Sequence, residues 1–452
     1  MKIPAMIAVG AFSAIWGAAA LAAVTAEEAK QLGGELTPFG AIKAGNADNT
    51  IPAYTGGLST PPTDFDPKSG RWTDPYASEK PVARITAANM DQYSAKLTDG
   101  MKHLLKTNSD YYLDIYPTHR STAYPQAVLD ASIKNATTCK TTDEQLGVAQ
   151  DCRGGVPFPI PKTGYEVMWN KLLAFSGAGG FQGSGVRSWM ISPSGAPVMT
   201  SEIRSYSEKP FWQVNSPDRN TNMAVRIYSV TDAPSRKAGE ATGYADFLDP
   251  GSSPRKAWSY APGQRRIKMA PEFSYDTPVS TTGGIMLYDE IFLFSGLMDR
   301  FDFKLVGKKE MYIPYNNYKL ADCKVAKWAK ANTVNPECER WELHRVWVIE
   351  STLKPGMRHV YSKRTYYLDE DNFTAGLMDG WDQAGTLYRT AVQYSIQAYN
   401  VPAVFAPSFT IYDFNKGMYS RQSDYSDGKI FYVAAKPERE LNPESIAGRG
   451  IR

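Results

Sequence analysis

The feature that most constrains the fold is a long series of short apolar runs after Gly179, separated by Gly, Pro, Asn and Asp. Short runs bounded by turn residues, with few helical patterns between them, predict antiparallel strands. The expected fold class is mainly β with α. Residues 386–399 are apolar enough to be structured, and their pattern is compatible with either a helix or a strand. The predicted strands cover residues 186–192, 198–203, 224–230, 257–261, 264–269, 285–294, 303–312, 345–352, 359–368, 409–413 and 429–434.

Two hairpins stand out among these strands. The first turns at Pro262-Gly263, a pair typical of a type II turn, and the second turns through residues 354–356. The strand before the second turn places Trp347 on one face and Val348 on the other. A strand that is apolar on both faces must be covered on both faces, by core, helix or ligand.

The best-formed helix of the sequence covers residues 165–175. Its apolar residues recur at i, i+3, i+4, i+7 and i+8, which makes one stripe along the helix. Such a stripe is typical of core packing, and in a lipid carrier it can also touch the ligand. Further helices are predicted at 87–97, at 101–107 after a break at Gly100, and at 126–136 after Pro125.

The N-terminal part of the chain divides into two segments. Residues 1–22 have the pattern of a secretory signal: Lys2, an apolar run at 5–19 and small residues before a cleavage point after Ala22. A retained anchor is the alternative. Residues 23–80 are rich in Gly, Pro, Thr and Asp and are interpreted as an extended arm, with a flexible linker as the open alternative. Residues 81–452 form the main domain in this division.

The four cysteines fit an exported, periplasmic protein. Pairing of Cys139 with Cys152 and of Cys323 with Cys338 is the simplest of the three possible connectivities. Their spacings are not those of a zinc site, and His344, the nearest histidine, is not at a usual ligand spacing.

Composition and motifs argue against several functions. The net charge of +3 carries no strongly basic signal, so a nucleic-acid partner is not expected. No HExxH, GxSxG or Walker motif occurs, and no cofactor or metal is predicted. His344 and His359 face each other across the second predicted hairpin, as a metal pair, an acid–base pair or, the preferred interpretation, a plain surface pair. The acidic residues 369–371 are interpreted as a solvated turn.

Four segments carry a family resemblance: residues 45–57, 257–267, 299–316 and 345–371. They resemble an uncharacterised proteobacterial periplasmic family related to outer-membrane lipoprotein sorting, within the LolA/LolB-like superfamily. The resemblance spans nearly the whole mature chain. It implies a strongly curved antiparallel half-barrel with helices on its concave side and an apolar cavity between them. It also implies an outer-membrane protein and an inner-membrane exporter as partners, and it brings no catalytic residue.

The resulting hypothesis is a non-catalytic periplasmic carrier for a lipid, a lipoprotein acyl chain or another hydrophobic ligand. The alternative is an interaction protein that docks to an outer-membrane or exporter partner, and a hydrolase would need a perturbed carboxylate or histidine in a cleft. Ordinary core packing is the competing role for each candidate residue. The candidate cavity residues are Trp169, Trp258, Tyr260, Phe292, Phe294, Trp347 and Tyr361.

Overall fold

The protein is described from a computed structural model that covers residues 24–215 and 222–450. The predicted signal peptide, residues 1–22, lies outside these ranges. Strands make up 33% of the residues and helices 19%, which confirms the mainly β class. Among the described residues, no helix has the length and apolar character needed to cross a membrane.

The strands follow one another along most of the chain after residue 180. They are β1 (Ala83–Ile85), β2 (Leu113–Ile115), β3 (Thr141–Thr142), β4 (Gly147–Val148), β5 (Gly180–Ile191), β6 (Pro197–Glu208), β7 (Met223–Ala233), β8 (Ala241–Phe247), β9 (Lys256–Ala261), β10 (Arg266–Met269), β11 (Phe301–Pro314), β12 (Trp341–Leu353), β13 (Lys363–Asp369), β14 (Gly376–Trp381), β15 (Leu387–Gln393), β16 (Ile396–Ala398), β17 (Ala403–Phe405), β18 (Phe409–Asp413), β19 (Met418–Asp424) and β20 (Lys429–Val433).

The helices are short and fall mostly before β5 and between β11 and β12. The α-helices are α1 (Ala26–Ala29), α2 (Asp99–Thr107), α3 (Gln126–Thr138), α4 (Gly164–Leu172), α5 (Tyr318–Asp322), α6 (Val325–Trp328) and α7 (Pro443–Gly450). Segments of 3-10 helix occur at Met90–Lys96, Asp143–Gln145, Pro210–Trp212, Ser235–Lys237, Ser280–Thr282, Tyr288–Leu293, Pro336–Cys338 and Glu438–Glu440.

One large, curved and open sheet dominates the described residues. Its order is β1-β2-β12-β13-β14-β15-β18-β19-β5-β6-β7-β8-β9-β10, with β11 beside β12 and β20 beside β5. Neighbouring strands are antiparallel apart from a single parallel pair between β2 and β12. In the described chain β10 pairs only with β9 and β11 only with β12, so the sheet does not close. This confirms the predicted open, curved antiparallel sheet with helices on its concave side.

Both predicted hairpins form. Strands β9 and β10 pair with Ala261 opposite Arg266, and β12 and β13 pair with Thr352 opposite Lys363. The open segment 386–399 forms β15 and β16. The predicted break at Gly100 is wrong, because Thr98 caps α2 and Gly100 lies inside that helix.

The predicted strand at 285–294 is also wrong, because Tyr288–Leu293 forms 3-10 turns. Asp289 and Glu290 are buried in this segment and bind arginines of the sheet, which holds the backbone away from an extended ladder.

The predicted helix at 165–175 forms as α4 and lies on β11 and β12. Thr163 caps it by accepting a hydrogen bond from the amide of Glu166 at 3.2 Å. Gly164 allows close contact with the sheet, since a Cβ there would lie 2.5 Å from the carbonyl oxygen of Phe303.

Residues 24–80 lie against the rest of the chain. Phe39 is buried beside the rings of Tyr54 and Tyr124. Arg71 donates to the carbonyl oxygens of Tyr425 and Ser426 at 2.9 and 2.8 Å. The division of the chain into an arm and a main domain stays a prediction.

The four cysteines form the two local disulfides that the spacing predicts. Cys139 is bonded to Cys152, and Cys323 is bonded to Cys338. The first bridge lies beside the main apolar cluster, and the second lies in the cluster beneath β12.

Candidate functional site

A cavity opens on the concave side of the sheet, against β5, β6, β7 and β8. The end of α4, residues 174–176, the segment around Phe292 and strand β17 with residues 406 and 407 close it from the other side. The space that the centres of water-sized groups can occupy in it has a volume of about 110 Å³.

The wall of this cavity is mostly apolar and aromatic. On β7, Val225 and Ile227 point into it, as expected for residues two apart on one strand. Such a surface excludes water and offers a ligand dispersion contacts without any reactive group. The other apolar lining residues are Leu172, Ala174, Phe175, Phe181, Phe292, Phe294, Val404, Phe405, Ala406 and Pro407.

Two lysines interrupt the apolar wall. Lys171 is 5% exposed, and its Nζ donates to the Oε1 of Gln393 at 3.1 Å. The Nζ of Lys209, which is half-buried, donates to the carbonyl oxygen of Ala174 at 2.5 Å. Neither ammonium forms an ion pair within residues 24–215 and 222–450.

Burial lowers the pKa of both lysines. The pKa of Lys171 falls to about 7 because its side chain is withdrawn from water and because Lys209 repels its charge. Burial alone lowers the pKa of Lys209 to about 7. Each amine is therefore poised between its neutral and charged forms near neutral pH, and its charged form lacks a counter-ion.

The carboxylate that lines the cavity is already engaged. Asp246 on β8 accepts hydrogen bonds from Nε and Nη2 of Arg255 at 2.6 and 2.7 Å. This two-point pairing satisfies both carboxylate oxygens. The carboxylate of Asp246 is thus paired with Arg255 and does not act as a counter-ion for either lysine.

The segment that closes the cavity has an unusual backbone. Phe292 and Leu293 have φ angles of +55° and +71°, which are left-handed values that large side chains rarely adopt. Strain of this kind persists where surrounding contacts enforce it, and it is frequent at ligand sites. It turns the ring of Phe292 into the cavity wall.

Buried ion pairs hold this segment in place. Asp289 accepts from Arg364 at 2.8 Å and lies 3.0 Å from Nε2 of His359. Burial opposes the charge of Asp289, but Arg364 and His359 outweigh it and hold its pKa well below the usual range. Glu290 pairs with Arg389 at 3.1 Å.

A second group of buried charges surrounds His344. Its Nε2 lies 3.1 Å from Glu342 and its Nδ1 lies 3.3 Å from Asp369. Burial disfavours the charged ring, yet hydrogen bonds to Asp369 and Glu342 prevail and raise its pKa to about 9. Asp371 is held at two points by Arg120, at 2.6 and 2.9 Å.

This group is an ion-pair network rather than a metal site. His344, Asp369 and Asp371 offer ligand atoms within 4.8 Å of one another. The imidazole of His344 already contacts Glu342 and Asp369, and the guanidinium of Arg120 already pairs with Asp371. The interpretations of 369–371 as a solvated turn and of His344 and His359 as a surface pair are therefore wrong, because all these side chains are buried and paired.

The comparisons with known proteins identify the family. A sequence profile described as a protein of unknown function (DUF1329) matches residues 84–447. An uncharacterised protein of Pseudomonas aeruginosa is 39% identical over 442 residues, which cover 96% of this chain and 95% of that protein. The chain belongs to the DUF1329 family. The predicted resemblance to an uncharacterised family is confirmed.

Solved structures with similarity to this DUF1329 protein share little sequence with it. An outer-membrane lipoprotein-sorting protein domain from Vibrio parahaemolyticus has 13% identity and a TM-score of 0.42, covering 62% of this chain and 97% of that one. A DUF1329 family protein from Desulfovibrio piger has 12% identity and a TM-score of 0.42, covering 63% and 97%. A LolA superfamily protein from Nitrosomonas europaea has 10% identity and a TM-score of 0.36, covering 62% and 98%.

The DUF1329 protein brings only some of the predicted cavity residues together. Phe292 and Phe294 line the cavity. Trp169 lines a smaller neighbouring pocket of about 40 Å³, and its indole donates to the carbonyl oxygen of Gln145 at 3.0 Å. Tyr361 is fully buried and donates to Glu290. Trp347 is half-buried, with the ammonium of Lys308 4.3 Å from its ring centre.

Trp258 and Tyr260 lie on the opposite face of the sheet. Trp258 on β9 pairs with Gly243 on β8, and Gly243 pairs with Tyr228 on β7, so all three lie on one face of the sheet. Tyr228 directly follows Ile227, which lines the cavity. Consecutive strand residues point to opposite faces. On that face Trp258 and Tyr260 pack in a cluster with Ile446 of α7.

Two other buried carboxyls of the DUF1329 protein have perturbed pKa values but structural partners. Burial raises the pKa of Glu339 to about 7, while it accepts a hydrogen bond from Tyr394 at 2.8 Å. Burial raises the pKa of Asp379 to about 6, while it accepts from the Gly100 amide at the start of α2 at 3.0 Å. Neither residue lines the cavity.

Sequence reasoning missed Lys171 and Lys209. Lysines are common in helices and after strands, where they ordinarily face water. The sequence offered one signal for Lys171, which lies four residues after the apolar Val167 in the predicted helix, so that both occupy the same row. The structure shows that Val167 is fully buried.

Proposed function

We propose that this protein is a non-catalytic binding protein that carries an apolar ligand in the cavity on the concave face of its sheet. The observation that carries the proposal is the cavity itself, whose wall is aromatic and aliphatic over most of its surface. The predicted Phe292 and Phe294 belong to that wall.

The physical need for such a carrier is simple. Each methylene group exposed to water costs about 0.8 kcal/mol, so an acyl chain of ten carbons resists leaving a membrane by about 8 kcal/mol. A cavity that replaces lipid contacts with protein contacts removes most of that cost. The wall around Val225 and Ile227 provides those contacts.

We place this activity in the periplasm. The signal-like pattern of residues 1–22, with cleavage after Ala22, supports export, and the two disulfides fit an oxidising compartment. An outer-membrane protein and an inner-membrane exporter are the proposed partners, between which the ligand, as a lipid or a lipoprotein acyl chain, would travel.

The proposal is tested with N-phenyl-1-naphthylamine, a neutral apolar dye whose fluorescence rises on leaving water. We expect saturable binding to the wild type and at least a tenfold loss of affinity in Val225→Trp, because the indole fills the cavity. Ile227→Trp is a second filling variant in case the first folds poorly, and circular dichroism checks the fold of each.

The matched control is Val306→Trp, at a valine that is 51% exposed on β11, outside the cavity wall. It should bind the dye as the wild type does. Absence of dye binding to the wild type, or equal binding by well-folded Val225→Trp and wild type, would contradict the proposal.

A further inference from the structure

The two lysines of the cavity are an electrostatic anomaly. Lys171 and Lys209 place amines in a wall that is mostly apolar and whose carboxylate, Asp246, is paired with Arg255. The hydrogen-bond acceptors of the two amines are neutral: the side-chain oxygen of Gln393 and the carbonyl oxygen of Ala174. A buried ammonium without a counter-ion costs several kcal/mol, so folded proteins normally pair it or leave such positions apolar.

The rest of this molecule follows that rule. Within the described ranges, each of the fully buried arginines 364, 389 and 421 has a carboxylate within 4.0 Å. The amines of the cavity differ from these arginines in one respect, since a ligand can reach the space in front of them.

We infer that the cavity binds a single-chain anionic amphiphile, whose negative head group lies between Lys171 and Lys209 and whose alkyl chain lies along Val225, Ile227 and Phe294. This inference rests on the proposed function and names the chemistry of its ligand. A carboxylate or phosphate oxygen supplies a negatively charged acceptor, which neither Gln393 nor the carbonyl group of Ala174 provides. A charge-assisted hydrogen bond is about twice as strong as a neutral one.

The size of the cavity selects one chain. A cavity of about 150 Å³ holds benzene, so a volume of about 110 Å³ encloses only a few carbons of one alkyl chain. The rest of the chain then lies in the mouth of the cavity. Several alkyl chains side by side do not fit in this volume.

The test compares four ten-carbon probes that displace N-phenyl-1-naphthylamine: decanesulfonate, decanoate, decyl phosphate and the neutral decanol. We expect the anions to bind about 10- to 150-fold more tightly than decanol, the range for a hydrogen bond to a charged group. Tighter binding of decanoate assigns the natural ligand to carboxylates, and tighter binding of decyl phosphate assigns it to phosphates.

Lys171→Met and Lys209→Met, alone and together, remove the charge and keep the length of the side chain. They should abolish the preference for anions and leave the affinity for decanol unchanged or higher. The matched control is Lys304→Met, at an exposed lysine on β11, and it should bind every probe as the wild type does.

A pH series on the wild type gives a second measurement that needs no variant. The affinity for decanesulfonate, which is ionised throughout, should fall at least about tenfold between pH 6 and 8.5 as Lys171 and Lys209 lose their protons near pH 7. The affinity for decanol should not fall. The other titratable groups that face the amines are Asp246, held by Arg255, and Tyr244, whose burial raises its pKa.

The possible results separate the two proposals. If anions and decanol bind the wild type equally, the head-group inference is wrong while the carrier proposal stands. If none of the four probes displaces the bound dye, the head-group inference is wrong, and if the dye itself does not bind either, the carrier proposal is wrong as well. Loss of the anion preference in Lys171→Met and Lys209→Met, but not in Lys304→Met, supports both.

Discussion

Two regions of this molecule bury positive charge in opposite ways. Beneath β13 and β15 lies a charged core of Asp289, Glu290, Arg364, Arg389 and Asp413, in which each arginine has a carboxylate within about 3.0 Å. In the cavity, two lysines lie in a mostly apolar wall and donate to neutral acceptors. Burial costs free energy for the charges of both regions. The paired arginines offset this cost within the fold, whereas the unpaired lysines remain available to a ligand.

The largest effect is expected when the charged core loses an arginine. Arg389→Met leaves Glu290 and Asp413 buried without their partner, which should lower the free energy of unfolding by about 3–5 kcal/mol. Urea denaturation measures it, with Lys304→Met as the exposed control, expected within about 0.5 kcal/mol of the wild type. A decrease of less than about 1 kcal/mol in the free energy of unfolding of Arg389→Met would contradict a structural role for this ion pair.

In the cavity, removing a charge is expected to raise the free energy of unfolding instead of lowering it. Lys171→Met removes a buried amine that has no counter-ion, so the free energy of unfolding at pH 7 should rise by about 1–4 kcal/mol. The same urea measurement without added ligand tests this. If the variant is destabilised like Arg389→Met, Lys171 has a structural partner and is not held for a ligand.

The group of buried charges around His344 and the lysines of the cavity also respond oppositely to pH. His344 has a folded pKa of about 9, above its usual value, so its stabilisation is complete below about pH 6.5 and is lost as the pH rises through 9. Lys171 has a folded pKa of about 7, below its usual value, so protonation opposes folding below pH 7 and stability increases between pH 7 and 10.5.

Urea midpoints between pH 6.5 and 9.5 separate these contributions. His344→Gln should remove the alkaline loss, worth up to about 3 kcal/mol. Lys171→Met should reduce the alkaline gain, because Lys209, whose pKa is also about 7, contributes the remainder. Identical pH profiles for the wild type and both variants would show that neither residue titrates as its surroundings indicate.

The smallest effect is expected on the far face of the sheet. Trp258→Phe should change the affinity for N-phenyl-1-naphthylamine less than twofold, because Trp258 packs in a cluster with Ile446 of α7 and does not line the cavity. Phe294→Ala, on the cavity wall, should weaken the same binding more than threefold. Equal losses in the two variants would mean that the ligand lies elsewhere.

What the sequence could predict depended on how local the determining contacts are. The β9–β10 and β12–β13 hairpins, the stripe of α4 and both disulfides were predictable because their partners lie close along the chain. The order of the sheet, in which β19 lies beside β5, depends on residues more than two hundred positions apart. No periodicity in the sequence encodes that pairing.

The errors have the same physical origin. Residues 285–294 are apolar enough to predict a strand, but Asp289 and Glu290 find their partners at Arg364 and Arg389, far along the chain. Of the residues chosen for their aromatic character, Phe292 and Phe294 line the cavity, and their role in ligand binding stays a prediction. Lys171 and Lys209 were missed because only the packed structure shows that they have no counter-ion.

Native mass spectrometry of the full chain, exported to a bacterial periplasm and purified without detergent, tests the central claim most directly. The account predicts one equivalent of a bound single-chain amphiphile that is released by organic extraction, is anionic, and is absent from Val225→Trp. A wild-type mass equal to that of the bare polypeptide, from protein that also takes up none of the ten-carbon probes, would contradict it.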